Sequence, residues 1–122
     1  MSAADDALLP VIQKAYDLCL WVLKVVERLP RSYKFTLGDR IQGTALDLQL
    51  SLVESSHARR KDRPLHRADR QLDQLRLLLR LARDLELISP RRHAYGSAIV
   101  AEIGRMLGGW MKAQPGLQRS SA

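Results

Sequence analysis

An arginine and a histidine stand six residues apart in the arginine-rich stretch RRKDRPLHR, at Arg60 and His66. A histidine can move the proton of a ribose 2′-hydroxyl, and an arginine can hold the phosphate that is attacked. The pair would therefore suit cleavage of RNA without a metal ion. Pro64 lies between the two residues and indicates a loop there, and arginines are so frequent in this stretch that the spacing also arises by chance.

The sequence offers little for metal or nucleotide chemistry. Glu54 and His57 form one Glu-x-x-His pair, whereas a di-iron bundle uses two such pairs and two further glutamates. Gly38 is the only glycine in TLGDR, which therefore lacks the glycine-rich loop that cradles nucleotide phosphates. Cys19, the single cysteine, lies in the apolar run LCLWVL, where a buried thiol is expected rather than a nucleophile. We predict a protein without a metal site, a cofactor or an enzymatic activity.

Positive charge is the most prominent chemical feature of the chain. The 122 residues carry a net charge of +7, and the pI is near 10.2. Clustered guanidinium groups bind phosphate-rich partners by replacing counterions, which requires no single precise geometry. A charged face that only keeps the protein in solution is the opposing interpretation. The predicted surface for nucleic acid or a protein partner comprises Arg31, Lys34, Arg59, Arg60, Lys61, Arg63, Arg67, Arg70, Arg91 and Arg92.

Two of these arginines stand at an unfavourable place in their predicted helix. Arg91 and Arg92 follow Ser89 and Pro90, which are typical of a helix cap and a first helical residue. Cations in the first turn oppose the helix macrodipole. We therefore expect these two side chains to serve an external partner.

Four amphipathic helices must position the basic residues. Apolar residues recur at helical spacing, and aromatic and β-branched residues are few, which favours helix over sheet. Three short connections make neighbouring helices antiparallel, so the predicted fold is all-α, an antiparallel up-down-up-down four-helix bundle. The predicted organisation is a lead-in over residues 1–6, the bundle over residues 7–112 and a flexible tail over residues 113–122.

The helix ends carry recognisable signals. Pro30 should end a first helix that runs from about Ala7 with Pro10 in its first turn. The other predicted signals are Thr36 with Asp39 as the cap of a second helix from Leu37 to His57 or Arg60, Asp62 as the cap of a third helix opened by Pro64, and Ser89 as the cap of a fourth. Tyr33 and Phe35 should cover the end of the core. This topology places the 31–34 and 91–92 cations at one bundle end and the 59–70 cations at the other.

The first and third helices have more apolar positions than one bundle core can cover. Unpaired apolar stripes of this kind indicate contact with another subunit. The predicted oligomer interface comprises Leu20, Leu23, Leu77, Leu81, Leu85 and Ile88. The sequence also lacks an apolar run of about 18 residues, and its start does not resemble a signal peptide, so we expect a cytoplasmic protein without a membrane partner.

Two segments resemble a known family. LPRSYKFTLGDRIQ before the second helix and EIGRMLGGWMK near the end, in this order, are similar to the accessory variability determinant (Avd) proteins of diversity-generating retroelements. Avd proteins are related to the bundle proteins encoded in intervening sequences of bacterial 23S ribosomal RNA genes. The resemblance covers about residues 8–112, and the Gly108 to Trp110 ending and the 33–38 segment favour the Avd branch over the ribosomal one.

The resemblance implies a non-enzymatic partner of a reverse transcriptase. Avd proteins are homopentameric barrels whose basic surface engages the enzyme and its RNA or cDNA while a template repeat is copied, with mutations, into a variable gene. Two alternatives remain open from the sequence. One is a metal-independent ribonuclease of the HEPN type that uses Arg60 and His66, and the other is a purely structural bundle oligomer of the ribosomal intervening-sequence type.

Overall fold

The computed structural model describes the backbone of residues 3–112 and the side chains from Leu8 to Lys112. The predicted flexible tail, residues 113–122, lies outside the described residues. The described part contains helices and connections without a strand, which confirms the all-α prediction. Its five helices are α1 (Ala3–Glu27), α2 (Arg31–Lys34), α3 (Leu37–His57), α4 (Asp62–Asp84) and α5 (Pro90–Lys112).

The four long helices form a closed ring of neighbours. Helix α1 packs against α3 and α5, and α4 packs against the same two helices. Helices α1 and α3 run in opposite directions. The thiol of Cys19 donates a hydrogen bond to the carbonyl of Ala45 at 3.3 Å, whereas a Cβ on Gly38 would lie 3.1 Å from Cγ1 of Val26. The later residue of α1 thus meets the earlier residue of α3.

The other two interfaces with polar contacts have the same antiparallel sense. Between α3 and α4, the Ser51 hydroxyl donates to Oε1 of Gln71 at 2.8 Å, and Arg67 donates to Glu54. Between α1 and α5, Lys14 pairs with Glu102 at 3.1 Å. The structure therefore confirms the antiparallel four-helix bundle, with α2 as a single added turn in the first connection.

Helix α1 begins earlier than predicted. It starts at Ala3 rather than Ala7, so Pro10 lies inside the helix and not in its first turn. At the other end, the amide groups of Arg28 and Leu29 each donate to a carbonyl three residues back. These tight bonds close the helix before Pro30, whose carbonyl then accepts from Tyr33 and starts α2.

The predicted caps had mixed outcomes. The Ser89 hydroxyl accepts a hydrogen bond from the amide of Arg92 at 3.1 Å, as predicted for the cap of α5. Thr36 does precede α3, but its hydroxyl donates to the carbonyl of Tyr33 and makes no cap. Asp62 is the first residue of α4, and Lys61 occupies the cap position. The predicted helix boundaries therefore agree with the structure better than the predicted capping hydrogen bonds do.

Ile88 belongs to the core of the single chain, so its assignment to an oligomer interface was wrong. Only 5% of this residue is exposed. The reason is the turn after α4, where Glu86 adopts a φ of 60°. The amide of Leu87 donates to the carbonyl of Ala82, and the amide of Glu86 to that of Arg83, which is the Schellman arrangement of helix ends. This turn brings the chain back over the end of the bundle and buries Ile88.

Candidate nucleic-acid interface

Arginines at successive turns of α4 share one shallow cleft near the start of the helix. Arg63, Arg67 and Arg70 line it together with His66. Residues three, four and seven positions apart lie on one helix face, which explains the grouping. Part of this charge is compensated, because Arg67 pairs with Glu54 of α3 at 2.5 Å.

The connection between α3 and α4 presents two further predicted cations. Arg59 is exposed. The side chain of Arg60 is 88% exposed and lies 3.7 Å from the carboxylate of Asp62. Arg60 does not line the cleft that contains His66, so the structure does not gather the ribonuclease pair around one cavity.

Lys61 has a structural position that the sequence reasoning missed. Its ammonium group donates to the carbonyls of Ser55 at 2.7 Å and Ala58 at 3.0 Å. The last carbonyls of a helix lack partners within the helix, and a lysine can satisfy them. We therefore assign Lys61 to closing the end of α3 and remove it from the proposed binding surface.

At the opposite end of the bundle, α2 carries Arg31 and Lys34. Both line a shallow depression with Leu29 and Phe35. Lys34 also donates to the carbonyl of Glu27 at 3.3 Å, which ties α2 to the end of α1. Phe35 is 64% exposed, so the prediction that it covers the core was wrong.

A groove between α1 and α5 lies beside this depression and brings in residues outside the predicted set. Lys24, Arg28 and Arg92 line it together with Trp21 and Val25. Arg92 was predicted, whereas Lys24 and Trp21 were not. The signal was present in the sequence, because positions 21, 24 and 28 have the spacing of one helix face, although Arg28 lies just after the end of α1.

A comparison with known protein families assigns the chain to a family. The family model described as bAvd-like matches residues 9–114. This chain belongs to the bAvd-like family. The match includes both segments that resemble Avd proteins and the four long helices apart from the first residues of α1. No curated protein matches the sequence.

Both ends of this bAvd-like bundle are basic, but their charges are compensated differently. We name the end that carries Lys24, Arg28, Arg31, Lys34, Arg91 and Arg92 the basic end. Within residues 8–112, none of these six side chains forms a salt bridge. At the α3–α4 end, by contrast, Arg60 pairs with Asp62, and Arg67 with Glu54. The cations of that end without a salt bridge within the same residues are Arg59, Arg63 and Arg70. The larger group of uncompensated cations therefore lies at the basic end.

His93 adds no charge to the basic end at neutral pH. Its Nε2 lies 3.2 Å from the hydroxyl of Ser97. Burial and, to a lesser degree, the nearby Arg83 guanidinium lower the pKa of His93 from its usual value of 6.5. The imidazole is therefore neutral at pH 7, and the charge of this end comes from lysine and arginine.

The bAvd-like chain also exposes the five leucines of the predicted oligomer interface, and Ile88 is the one buried member of that set. The exposed fractions run from 40% for Leu23 to 57% for Leu77. The other predicted members that are exposed are Leu20, Leu81 and Leu85. Sequence reasoning missed further exposed apolar residues, which are Leu9, Tyr16, Leu46 and Leu50.

The thiol of Cys19 and the potential metal ligands were considered as sites of chemistry in the described part of the chain. Cys19 is buried, and burial raises its pKa to about 11, so the thiol is protonated at neutral pH. Within residues 8–112, no three side chains of the types that bind metals are grouped closely enough to hold an ion. None of the described helices combines the length and apolar character that a membrane span requires.

Proposed function

We propose that this bAvd-like protein is the accessory protein of a diversity-generating retroelement. It acts without enzymatic activity in the cytoplasm, as a basic oligomer that binds the reverse transcriptase and nucleic acid, the template RNA or the cDNA, during mutagenic retrohoming. The observation that carries the proposal is the basic end, where six cations have no carboxylate partner among the described residues. Membership of the bAvd-like family supports it.

Phosphate binding accounts for an arrangement that is costly within the protein alone. Arg91 and Arg92 lie in the first turn of α5, where the positive end of the helix dipole repels them. That turn contains no acidic residue to offset the repulsion. A phosphate backbone at the basic end would interact favourably with the dipole and with both guanidinium groups.

The enzyme contact is tested by purifying the reverse transcriptase with its template RNA and this protein. The variant Arg31→Gln, Arg91→Gln, Arg92→Gln removes three charges from the basic end. A matched control, Lys14→Gln, Arg76→Gln, Arg80→Gln, removes three charges that are paired along the helices. We expect the control to remain in the complex and the basic-end variant to be lost from it. Retention of both variants, or failure of the parent protein to join the complex, would contradict the proposal.

The α4 cleft is the second basic surface, and a separate variant measures its contribution to the same complex. Arg59→Gln, Arg63→Gln and Arg70→Gln together remove the same charge from the other end of the bundle. Because Arg67 in this cleft is already paired with Glu54, we expect a smaller loss of binding than at the basic end. A larger loss of binding than at the basic end would mean that the main contact lies at the α3–α4 end.

A further inference from the structure

Two aromatic rings stand together at the groove between α1 and α5. The ring centroids of Trp21 and Tyr95 lie 6.0 Å apart, and the ring planes are tilted by 44°. Trp21 is half-buried, whereas Tyr95 is 59% exposed. One ring thus supports the other, and the phenol ring of Tyr95 presents its surface to solvent.

Gly96 fixes the position of the indole. A Cβ at this position would lie 2.3 Å from Cη2 of Trp21 and 2.5 Å from Cζ3, which is far inside contact distance. The indole therefore lies directly on the backbone of α5 and cannot swing into the helix. Tyr95, the preceding residue, is held next to it.

Cations flank this aromatic pair on both helices. Lys24 is on α1, Arg28 directly follows the end of that helix, and Arg92 lies one turn before Tyr95 on α5. Within residues 8–112, none of the three pairs with a carboxylate. The groove therefore holds three uncompensated positive charges, and the exposed ring of Tyr95 lies at its edge against Trp21.

We propose that this groove binds single-stranded nucleic acid by stacking an unpaired base on Tyr95. Lys24, Arg28 and Arg92, which lie toward the basic end from the ring, would contact the phosphates that follow the base in that direction, and Trp21 would support the tyrosine ring. Aromatic rings beside cations along a groove are the means by which proteins bind single strands without reading sequence. The inference rests on the proposed nucleic-acid binding and assigns the base contact to one residue.

A single strand fits these observations better than a duplex or an acidic peptide. Bases within a duplex are stacked on one another, so their faces cannot reach the exposed tyrosine ring. An acidic peptide would use the three cations but would leave Tyr95 without a specific role. A single strand uses both the ring and the charges.

The test compares two ligands of equal length and charge. One is a labelled oligothymidylate of about 12 nucleotides, within the site sizes known for single-strand binding. The other has the same phosphates but no bases. For Tyr95→Leu, we expect an affinity about 5- to 150-fold lower for the oligothymidylate and unchanged for the abasic strand. Tyr95→Phe keeps the ring and should bind both ligands as the parent protein does.

Phe35→Leu is the matched control. Phe35 is also an exposed aromatic residue beside cations at the basic end, but it is not part of the groove between α1 and α5. We expect this variant to bind the oligothymidylate as the parent does. A loss in Phe35→Leu without a loss in Tyr95→Leu, or an equal loss of both ligands in Tyr95→Leu, would overturn the inference.

A second measurement does not depend on any change at Tyr95. In Trp110→Phe, the remaining tryptophan fluorescence comes from Trp21 in the groove. Oligothymidylate should quench or shift this emission, whereas the abasic strand at equal saturation should leave it nearly unchanged. Equal spectra with both strands would contradict stacking at this place. If the parent protein binds neither strand, the proposed function fails as well, whereas tight binding that is insensitive to Tyr95 overturns only the groove.

Discussion

Glu86 has a backbone conformation that is unfavourable for a residue other than glycine. Its φ of 60° lies in the left-handed region, and no other described non-glycine residue has a positive φ. This conformation costs an L-residue about 1–2 kcal/mol, whereas glycine adopts it freely. Glu86 is exposed and ends the Schellman turn after α4, so its side chain contributes little packing that would offset this cost.

Glu86→Gly should therefore stabilise the protein. We expect the free energy of unfolding to rise by about 1 kcal/mol, after allowance for the greater freedom of glycine in the unfolded chain. Glu86→Ala is the control, because it removes the same charge and keeps the Cβ. Urea denaturation of the three proteins measures the difference. Equal stability of the glycine and alanine variants would show that the turn is not strained.

Cys19 makes stability depend on pH in the alkaline range. Burial raises its pKa from 9.0 to about 11 in the folded protein. Between these values the thiol is protonated when folded and ionised when unfolded, so the folded state binds more protons and stability falls as the pH rises. The full effect is on the order of 3 kcal/mol.

Cys19→Ala removes this contribution. We expect the free energy of unfolding of the parent protein to decrease more steeply than that of the variant from pH 9 to pH 11. The difference between the two curves is the informative quantity, because lysine and tyrosine titrations affect both proteins. Parallel curves would mean that Cys19 ionises as readily in the folded state as in the unfolded one.

Two glycines inside the long helices have different surroundings, so substitutions there distinguish the effect of helix propensity on stability from the effect of packing. A Cβ on Gly43, inside α3, would have no neighbouring atom within 4 Å, whereas a Cβ on Gly96 of α5 would collide with Trp21. Glycine inside a helix costs roughly 0.5–1 kcal/mol relative to alanine when nothing else changes. The absence of a Cβ at Gly96 lets α1 and α5 approach closely.

Alanine substitutions at these positions should have opposite effects. Gly43→Ala should raise the free energy of unfolding by about 0.5–1 kcal/mol. Gly96→Ala should lower it by about 1–3 kcal/mol, because the indole must move out of its place on α5. Thermal unfolding of the two variants checks the sign of each change. Stabilisation by Gly96→Ala would mean that the indole relocates without cost.

The sequence predicted the long helices well, because their apolar spacing and their prolines are local signals. Ser89 and Pro30 act within a few residues of the helix ends that they mark. Ile88 could not be placed in the same way, since its burial depends on the positive φ of Glu86, for which the sequence has no glycine or asparagine signal. The role of Lys61 was also hidden, because a basic residue in a loop suits a phosphate and a helix carbonyl equally well.

The candidate surface was predicted in part for a related reason. The basic residues were visible, and so was their division between two bundle ends. The pairing of these cations with carboxylates was not visible in the sequence, because Arg67 contacts Glu54 only through the packing of α3 on α4. The groove of Trp21 and Tyr95 was missed because it requires the contact between α1 and α5 at Gly96.

At the scale of the whole molecule, the exposed leucines call for a partner surface. A single protomer leaves Leu20, Leu77 and Leu81 more than 40% exposed on the outside of the bundle. Because α1 and α4 are not neighbours in the bundle, these leucines leave apolar surface on two sides of the protomer, which indicates contact with partner surfaces. The family resemblance makes another copy of the chain the expected partner, and a pentamer of 13.8 kDa protomers would have a mass of roughly 69 kDa.

Charge on this surface should dissociate the oligomer. We expect Leu20→Glu and Leu77→Glu each to reduce the mass in solution toward that of one protomer, because a carboxylate is costly to bury at an apolar interface. Ala98→Glu is the control, since it introduces the same charge at an exposed position of α5. Analytical ultracentrifugation measures the mass. A monomeric parent protein, or equal behaviour of all three variants, would contradict the pentamer.

Nucleic-acid binding at the basic end can be measured through the salt dependence of binding to single-stranded template RNA. Each phosphate that a cation neutralises on a single strand contributes about 0.7 to the slope of log affinity against log salt concentration. For Arg31→Gln, Arg91→Gln, Arg92→Gln, we expect a slope smaller by about 2 and weaker binding at every salt concentration. The control Lys14→Gln, Arg76→Gln, Arg80→Gln carries the same net charge and should keep nearly the slope of the parent. Equal slopes for the two variants would contradict the assignment of nucleic-acid binding to the basic end.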